Sequence, residues 1–211
     1  MTEFIELFTT IYNLSPIPLR VSYGFWAGLI LLYWYARHHD KYNVPFKKRE
    51  LRARNFSAAL PFVGVLNVLL YWLAENKKYP WHLQQLFPAE VSTVVGFILM
   101  AVGLWIALLG RAAINGFWGP HLYVYENPAD RKIIRHGIYA HIRHPIYFGQ
   151  VLLAYGTFFL ANTNTFLLFP VAVTIWNIAR ARKESAFLFE QYGDEFKNYK
   201  DQTDRIIPGV F

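Results

Sequence analysis

The chain has 211 residues, of which 55% are hydrophobic, 18% aromatic and only 17% charged. A typical soluble domain carries about 25% charged residues, so this composition favours a membrane protein. There is no cysteine, which excludes disulfides, thiolate nucleophiles and cysteine-ligated zinc. The net charge is +7, but the basic residues cluster in loops between apolar segments, so we expect membrane lipids and no nucleic acid as partners.

The first half of the chain contains three apolar segments of membrane-spanning length. A short stretch, 1–19, comes before them; its acidic start is unlike a signal peptide, so we expect a short interfacial helix there. The predicted spans are Arg20–Ala36, Phe56–Ala74 and Glu90–Gly110.

Glycines recur every seven residues along the third predicted span. A helix places Gly96, Gly103 and Gly110 on one face, where the missing side chains allow another helix to approach closely. We therefore assign these glycines to helix packing and give them no part in chemistry.

Two shorter apolar segments follow in the second half. Ile146–Ala161 and Phe166–Ala179 are joined by a polar turn, 162–165, which predicts a short or tilted membrane hairpin. From Arg180 onwards the pattern is that of a charged helix. The basic residues between the spans predict cytoplasmic loops, and five spans then place the N-terminus outside and the C-terminus in the cytoplasm.

These features predict an all-α fold: a multi-pass integral membrane bundle of about five helices with a cytoplasmic C-terminal helix. No internal repeat or soluble domain boundary is visible, so residues 1–211 form one predicted domain. Its N-terminal part, 1–110, holds the first three helices, and residues 111–211 form the part expected to bind a cofactor.

The most polar stretch beside the apolar segments is Arg131–Gly149. Ionisable residues next to membrane helices are costly, which makes this stretch a candidate functional site. Histidines at positions 121, 136, 141 and 144 resemble the ligand clusters of membrane di-iron enzymes, but no acidic residue stands at ligand spacing, so we expect no metal.

A helix is expected to begin at Pro145, because proline is favoured in the first helical turn. The amino end of that helix offers N–H groups and partial positive charge to a small anion. Tyr147 and Gly149 lie in the first turns, and the glycine would allow a ligand to approach the backbone.

Arg180 and Glu184 stand four residues apart, which places them on one face of the last predicted helix. Such a pair is either an ordinary surface ion pair, which contributes little, or a pair that holds one anionic and one cationic group of a ligand. Both readings are open on the pattern alone.

Three motifs in order carry a resemblance to a known family: GIYAHIRHPIYFG, RARKESAFLFEQYGDEFKNY and RIIPGVF. Over 117–211 the chain resembles the isoprenylcysteine carboxyl methyltransferase family and its relatives among the phospholipid methyltransferases. The family commonly has paired glutamates where this chain has Lys183 and Glu184, so only the second is kept.

The resemblance implies S-adenosylmethionine as cofactor and a lipid or prenylated substrate. It assigns Arg180 to the substrate and makes Arg180 and Glu184 the expected catalytic pair. The residues it implies around the cofactor, with Gly149 from the helix start, are Arg131, Lys132, Ile133, Ile134, Tyr139, His144, Pro145, Ile146, Tyr147 and Glu184.

The expected function is methyl transfer to the carboxylate of a prenylcysteine or lipid-like acceptor, with Arg180 orienting the carboxylate. A phospholipid N-methyltransferase is the alternative, and it needs a base such as His144, His141 or Tyr147. A membrane scaffold of the same fold without turnover, or a nicotinamide-dependent reductase relative, are two further alternatives.

Overall fold

The computed structural model describes residues 85–114 and 133–209, together with Gly24, Trp26 and Ala27. The second predicted span, most of the first, and Arg131 and Lys132 lie outside the described residues. Four α-helices lie within residues 85–114 and 133–209: α1 (Ala89–Ile114), α2 (Pro145–Ala161), α3 (Leu168–Tyr192) and α4 (Asp194–Asp201). Two 3₁₀ turns, Gly137–Ala140 and Asn164–Leu167, precede α2 and α3. The described residues are helical, with isolated bridges and no strand.

Helices α1 and α2 pack with their backbones in near contact. A side chain added at Gly103 would place its Cβ atom 2.7 Å from the Gly149 carbonyl oxygen, and one added at Gly149 would meet the Gly103 carbonyl at 2.5 Å. Gly96 faces Gly156 in the same way, one to two turns further along. The seven-residue glycine repeat therefore serves helix packing, as its spacing predicted.

The turn between α2 and α3 is held by Asn162, which ends α2 in the left-handed region at φ 50°. Asparagine tolerates this conformation better than most residues. Its side chain also reaches Phe87 before α1: Oδ1 accepts from the Phe87 N–H at 3.1 Å, and Nδ2 donates to the Phe87 carbonyl at 2.8 Å. One amide thus closes the hairpin and joins it to α1.

Apolar side chains cover the outer surfaces of α1 and α3. In α1 these include Val94, Ile98 and Trp105, and in α3 they include Ile175 and Trp176, all more than half exposed. By length and composition α1 is the one helix of the described part that is suited to cross a membrane, and α2 is a shorter apolar helix. The third predicted span is therefore a single helix that extends slightly beyond Glu90 and Gly110.

The inner sides of the helices form an apolar core. Trp26 belongs to it: its ring lies edge-on to Phe169 of α3 at 6.0 Å, and its Nε1 donates to the Thr157 hydroxyl of α2 at 3.0 Å. Met100 of α1 and Leu153 of α2 are fully buried in the same cluster. The core thus joins α1, α2 and α3 and leaves the amino end of α2 as the place where polar residues gather.

Candidate functional site

The site is built around the start of α2, which begins at Pro145 as the sequence predicted. Proline brings no N–H, and the N–H groups of Tyr147 and Phe148 both donate to the His144 carbonyl at 3.1 Å. The helix start therefore has its donors largely engaged by its own backbone. The side chains of His144 and Tyr147 give this end its chemistry.

Four side chains form a buried polar network between α2 and α3. The Tyr147 hydroxyl donates to Glu184 Oε1 and accepts from Arg180 Nε at 2.6 Å. Arg180 Nε also lies 3.4 Å from Glu184 Oε1, and His144 Nδ1 lies 3.4 Å from Glu184 Oε2. Glu184 is only 3% exposed, so its pairing with Arg180 is a buried one, unlike the surface pair that was the simpler reading.

Further contacts fix the orientation of His144 and Arg180. The His144 ring stacks on the Tyr147 ring at 5.5 Å, and its Nε2 lies 3.2 Å from the Ser185 hydroxyl. The Arg180 guanidinium lies over the Tyr147 ring at 5.8 Å from its centre. Because Arg180 and His144, the two partners of Glu184, both touch Tyr147, this ring is the centre of the network.

Tyr139, in the 3₁₀ turn before α2, is buried near the same charges. Burial raises the pKa of Tyr139, and the nearby Tyr199 and Glu184 raise it further while Arg111 opposes them. Its hydroxyl therefore stays protonated at physiological pH. The backbone carbonyl of Tyr139 accepts a hydrogen bond from Tyr199 of α4 at 2.7 Å, which ties the turn to the end of the described chain.

Arg143 anchors this stretch to the segment that follows α4. Its buried guanidinium donates to the carbonyls of Lys200 and Thr203 and to the Thr203 hydroxyl. The backbone pairs as well: the N–H groups of Arg143 and His144 donate to the carbonyls of Asp204 and Arg205 at 2.8 and 3.0 Å. The position of His144 is thus set by residues some sixty positions later in the chain.

Ile206 and Arg135 complete this connection. Ile206 is buried with Tyr147 and Ala181 beneath the network. Arg135 pairs with Glu195 of α4 at 2.8 Å and lies 5.7 Å from the Tyr199 ring centre. Both contacts of Arg135 hold the stretch before α2 against α4.

Three of the predicted cofactor residues face α1 instead of the network. Pro145 and Ile146 lie against Gly110, and Gly149 lies against Gly103 and Ala107. Helix packing accounts for the glycine at position 149, which the sequence had assigned to the approach of a ligand. Ile133 and Ile134 are half-buried ahead of the 3₁₀ turn. Cofactor contacts of these five residues stay predictions.

The structure thus brings together four predicted residues, His144, Tyr147, Arg180 and Glu184, with Tyr139 close by. Of the other histidines, His136 and His141 are exposed. Within residues 85–114 and 133–209, no three histidine or acidic side chains form a group that could hold a metal ion. Sequence reasoning gave no role to Arg143 or Ser185, because neither their spacing nor their type shows which distant residue they contact.

Comparison with known proteins gives a family match over the same region. The model of the phospholipid methyltransferase family matches residues 91–195. The chain is 27% identical over 124 residues to the protein-S-isoprenylcysteine O-methyltransferase of Schizosaccharomyces pombe, covering 58% of this chain and 51% of that one. A corresponding protein of Dictyostelium discoideum is 31% identical over 97 residues, 43% of this chain and 38% of the relative.

A third relative has a different substrate in its name. It is the methanethiol S-methyltransferase of Crocosphaera subtropica, 27% identical over 130 residues, which are 59% of this chain and 50% of the relative. The chain spans about half the length, or less, of these curated relatives.

Among solved structures, a eukaryotic intramembrane Ras methyltransferase, isoprenylcysteine carboxyl methyltransferase, matches 93% of this chain and 99% of its own. The identity is 17% and the TM-score is 0.43, which is too low to support an argument about the fold. The family model and the curated relatives agree with the resemblance carried by the sequence motifs. Over its second half, this chain is therefore similar to the phospholipid methyltransferase family and to protein-S-isoprenylcysteine O-methyltransferases.

Proposed function

We propose that this protein is an integral membrane methyltransferase that uses S-adenosylmethionine and methylates the carboxylate of a prenylcysteine or similar lipid. The observation that carries the proposal is the Tyr147 hydroxyl, which joins Arg180 and Glu184 at the buried start of α2. Similarity to the phospholipid methyltransferase family supports methyl transfer as the reaction class, and the names of two relatives support a prenylcysteine acceptor.

The residues of the network fit S-adenosylmethionine in their chemistry. Its ammonium group and ribose hydroxyls are hydrogen-bond donors, and Glu184 is the one buried carboxylate among the described residues. Buried charges persist where they are paired, and Glu184 sits where a cationic ligand group adds to the pairing by Arg180 and His144. When bound, the cofactor would supply a methyl group on a positively charged sulfur. Glu184, Tyr139 and His144 are the residues that would hold it.

Arg180 is the residue proposed to bind the acceptor. Its guanidinium matches a carboxylate in shape and can donate two parallel hydrogen bonds to it. Its contact with the Tyr147 hydroxyl is made through Nε, so Tyr147 fixes the plane of the guanidinium. Methyl transfer needs little covalent help from the protein, and the alignment of the acceptor oxygen provides most of the effect.

A membrane location supports a lipid acceptor. The long apolar helix α1 and the exposed apolar side chains of α1 and α3 suit contact with lipid tails. The network lies where the apolar part of α3 gives way to the charged part that starts at Arg180. A lipid acceptor would therefore keep its tail in the bilayer while its head group meets Arg180. In this proposal several helices span the membrane and the C-terminal helix lies on the cytoplasmic side.

A second candidate is methylation of a thiol or an amine, which the pairing of His144 with Glu184 favours. A histidine oriented by a carboxylate is the usual arrangement of a general base, and His144 Nδ1 faces Glu184 Oε2 at 3.4 Å. A carboxylate acceptor needs no base, whereas a thiol or an ammonium must lose a proton. The methanethiol S-methyltransferase relative gives this candidate a named acceptor class.

The test uses the purified full chain in lipid nanodiscs. Transfer of a labelled methyl group from S-adenosylmethionine is measured with a prenylcysteine, phosphatidylethanolamine and methanethiol as separate acceptors. We expect transfer to the prenylcysteine. Transfer only to the amine or the thiol would replace the proposed acceptor with the second candidate.

Calorimetric titration with S-adenosylhomocysteine tests the cofactor without turnover. We expect saturable binding by the folded protein. Folded protein that binds neither this product nor S-adenosylmethionine would overturn the methyltransferase proposal and favour a scaffold of the same fold.

A further inference from the structure

Asn177 is a buried polar residue that the proposed chemistry does not yet use. It lies on α3, one turn before Arg180, and is only 1% exposed. Its Nδ2 donates to the Val173 carbonyl at 3.0 Å. Its Oδ1 is buried and has no hydrogen-bond partner among the residues that the structure describes.

A buried carbonyl oxygen without a hydrogen bond, such as Asn177 Oδ1, costs free energy, because it has lost its hydrogen bonds to water and has not replaced them. In a helix surrounded by lipid the cost persists, and polar groups at such positions commonly serve a ligand. Packing alone gives no reason for an amide here, since an apolar side chain would fill the space without this cost. The Oδ1 atom is therefore a candidate ligand contact.

The position of Asn177 on α3 indicates which part of a ligand it would meet. On the same buried face, Val173 packs into the apolar core with Leu153, while Ala181 packs under Tyr147. Asn177 thus stands between the apolar core and the polar network. Arg180 stands three positions later on the helix, an axial distance of about 4.5 Å, and residues at this spacing are neighbours on a helix surface.

We propose that Asn177 Oδ1 accepts a hydrogen bond from an N–H group on the carbon next to the acceptor's carboxylate. This inference rests on the proposed function, in which Arg180 holds that carboxylate. In an α-amido acid the nitrogen and the carboxylate carbon flank one carbon and are about 2.5 Å apart, so neighbouring residues on α3 can hold both. Asn177 would then select S-alkylated cysteines with an acylated nitrogen over simple fatty acids.

The test compares two acceptors that differ in this one group. N-acetyl-S-farnesylcysteine carries the N–H. In the second acceptor, the ester analogue, the acetylamino group is replaced by an acetoxy group, so an oxygen stands in place of the N–H and the carboxylate stays free. Binding of each is followed by the ligand-induced rise in the melting temperature of the detergent-solubilised full chain, without cofactor. We expect the wild-type protein to bind the ester analogue about tenfold more weakly, because the analogue leaves Oδ1 unsatisfied.

Asn177→Val and the smaller Asn177→Ala, which both lack a side-chain hydrogen-bond acceptor, should bind the two methyl acceptors with nearly equal affinity. The control is Thr174→Val, since Thr174 also donates to a carbonyl four residues earlier but is only half-buried; it should keep the tenfold difference. Without any ligand, Asn177→Val should melt close to the wild type, because loss of the Nδ2 bond to the Val173 carbonyl is offset by removal of Oδ1, which has no partner among the described residues.

Three results would overturn the inference. They are equal binding of both acceptors by the wild type, a tenfold difference that persists in an Asn177 variant, and a large drop in the melting temperature of both Asn177 variants without ligand. Methyl transfer by a wild type that does not discriminate would reject only the role of Asn177. Binding of neither acceptor would reject the proposed acceptor class as well.

Discussion

The hydroxyl of Tyr147 accepts from Arg180 and donates to Glu184, so one oxygen atom orients both charged residues of α3. The sequence placed Tyr147 in the first turn of α2 and Arg180 and Glu184 on one face of α3. It did not show that the tyrosine stands between them, because helical spacing gives the face of a residue and not its partner on another helix. The sequence therefore predicted which residues belong to the network but not which of them contact each other.

Replacing Tyr147 with phenylalanine tests this arrangement. The ring and its stacking on His144 are kept, while the hydrogen bonds to two charged groups are lost. Such bonds contribute about 1.5–3 kcal/mol, so we expect kcat for the carboxylate acceptor to fall roughly tenfold to a hundredfold. Binding of S-adenosylhomocysteine, measured by calorimetry, should weaken much less. An unchanged kcat would show that the hydroxyl does not orient Arg180 for the reaction.

Substitutions of Glu184 and Arg180 should affect different properties of the protein. We expect Glu184→Ala to abolish cofactor binding, because it removes the buried carboxylate and leaves His144 and Arg180 without their shared partner. Arg180→Ala should keep cofactor binding and lower turnover, since its proposed partner is the acceptor. Titration with S-adenosylhomocysteine and methyl-transfer kinetics measure the two effects. Equal loss of both properties in the Arg180 variant would mean that the assigned roles are wrong.

At the scale of helices, the face of α1 that packs closely against a neighbour was the most predictable feature, because it depends on a glycine repeat within one segment, although its partner α2 was not predicted. The helix start at Pro145 was predictable for the same local reason. The clamp of Asn162 on Phe87 was not, since its two hydrogen bonds join residues 75 positions apart. Local signals in the sequence define where helices begin and which face packs, whereas contacts between distant segments need the fold.

A methyl group at Gly103 tests the contact between these helices. Its Cβ atom would lie 2.7 Å from the Gly149 carbonyl oxygen, so α1 and α2 must move apart. We expect Gly103→Ala to destabilise the protein by about 1–3 kcal/mol, measured as a lower melting temperature in detergent. Gly24→Ala is the control, because Gly24 is helical and no described residue lies within 4 Å of an added Cβ atom. Equal effects of the two variants would contradict the close contact.

At the scale of the whole molecule, the pairing of Tyr199 with the Tyr139 carbonyl joins α4 to the site. Burial raises the pKa of Tyr199 from 10.0 to about 12. The folded state therefore favours the protonated hydroxyl, and this contribution to stability is complete below pH 10. Above pH 10 the unfolded chain loses the proton first, so the contribution falls as the pH rises towards 12.

Compared with the wild type, Tyr199→Phe should be less stable near neutral pH and should lose less stability at alkaline pH. Near neutral pH the variant should be less stable by about 1 kcal/mol, because the hydrogen bond to the Tyr139 carbonyl is lost. Between pH 10 and 12 the wild type should lose stability more steeply than the variant, and the difference between them should shrink. Melting temperatures measured across this range check the prediction. Parallel curves for the two proteins would show that Tyr199 does not resist ionisation in the folded state.

The pairing of Arg143 and His144 with Asp204 and Arg205 also has a consequence for the order of assembly during synthesis. These late residues follow every helix of the described chain, and a ribosome releases segments from the amino end onwards. Helices α1 and α2 can therefore enter the membrane and pack while the segment that holds Arg143 has not yet been made. A chain that ended just after Asp201 would keep helices α1 to α4 but lack the backbone partners of Arg143 and His144, so the proposed site would stay unfinished until residues 203–206 are made.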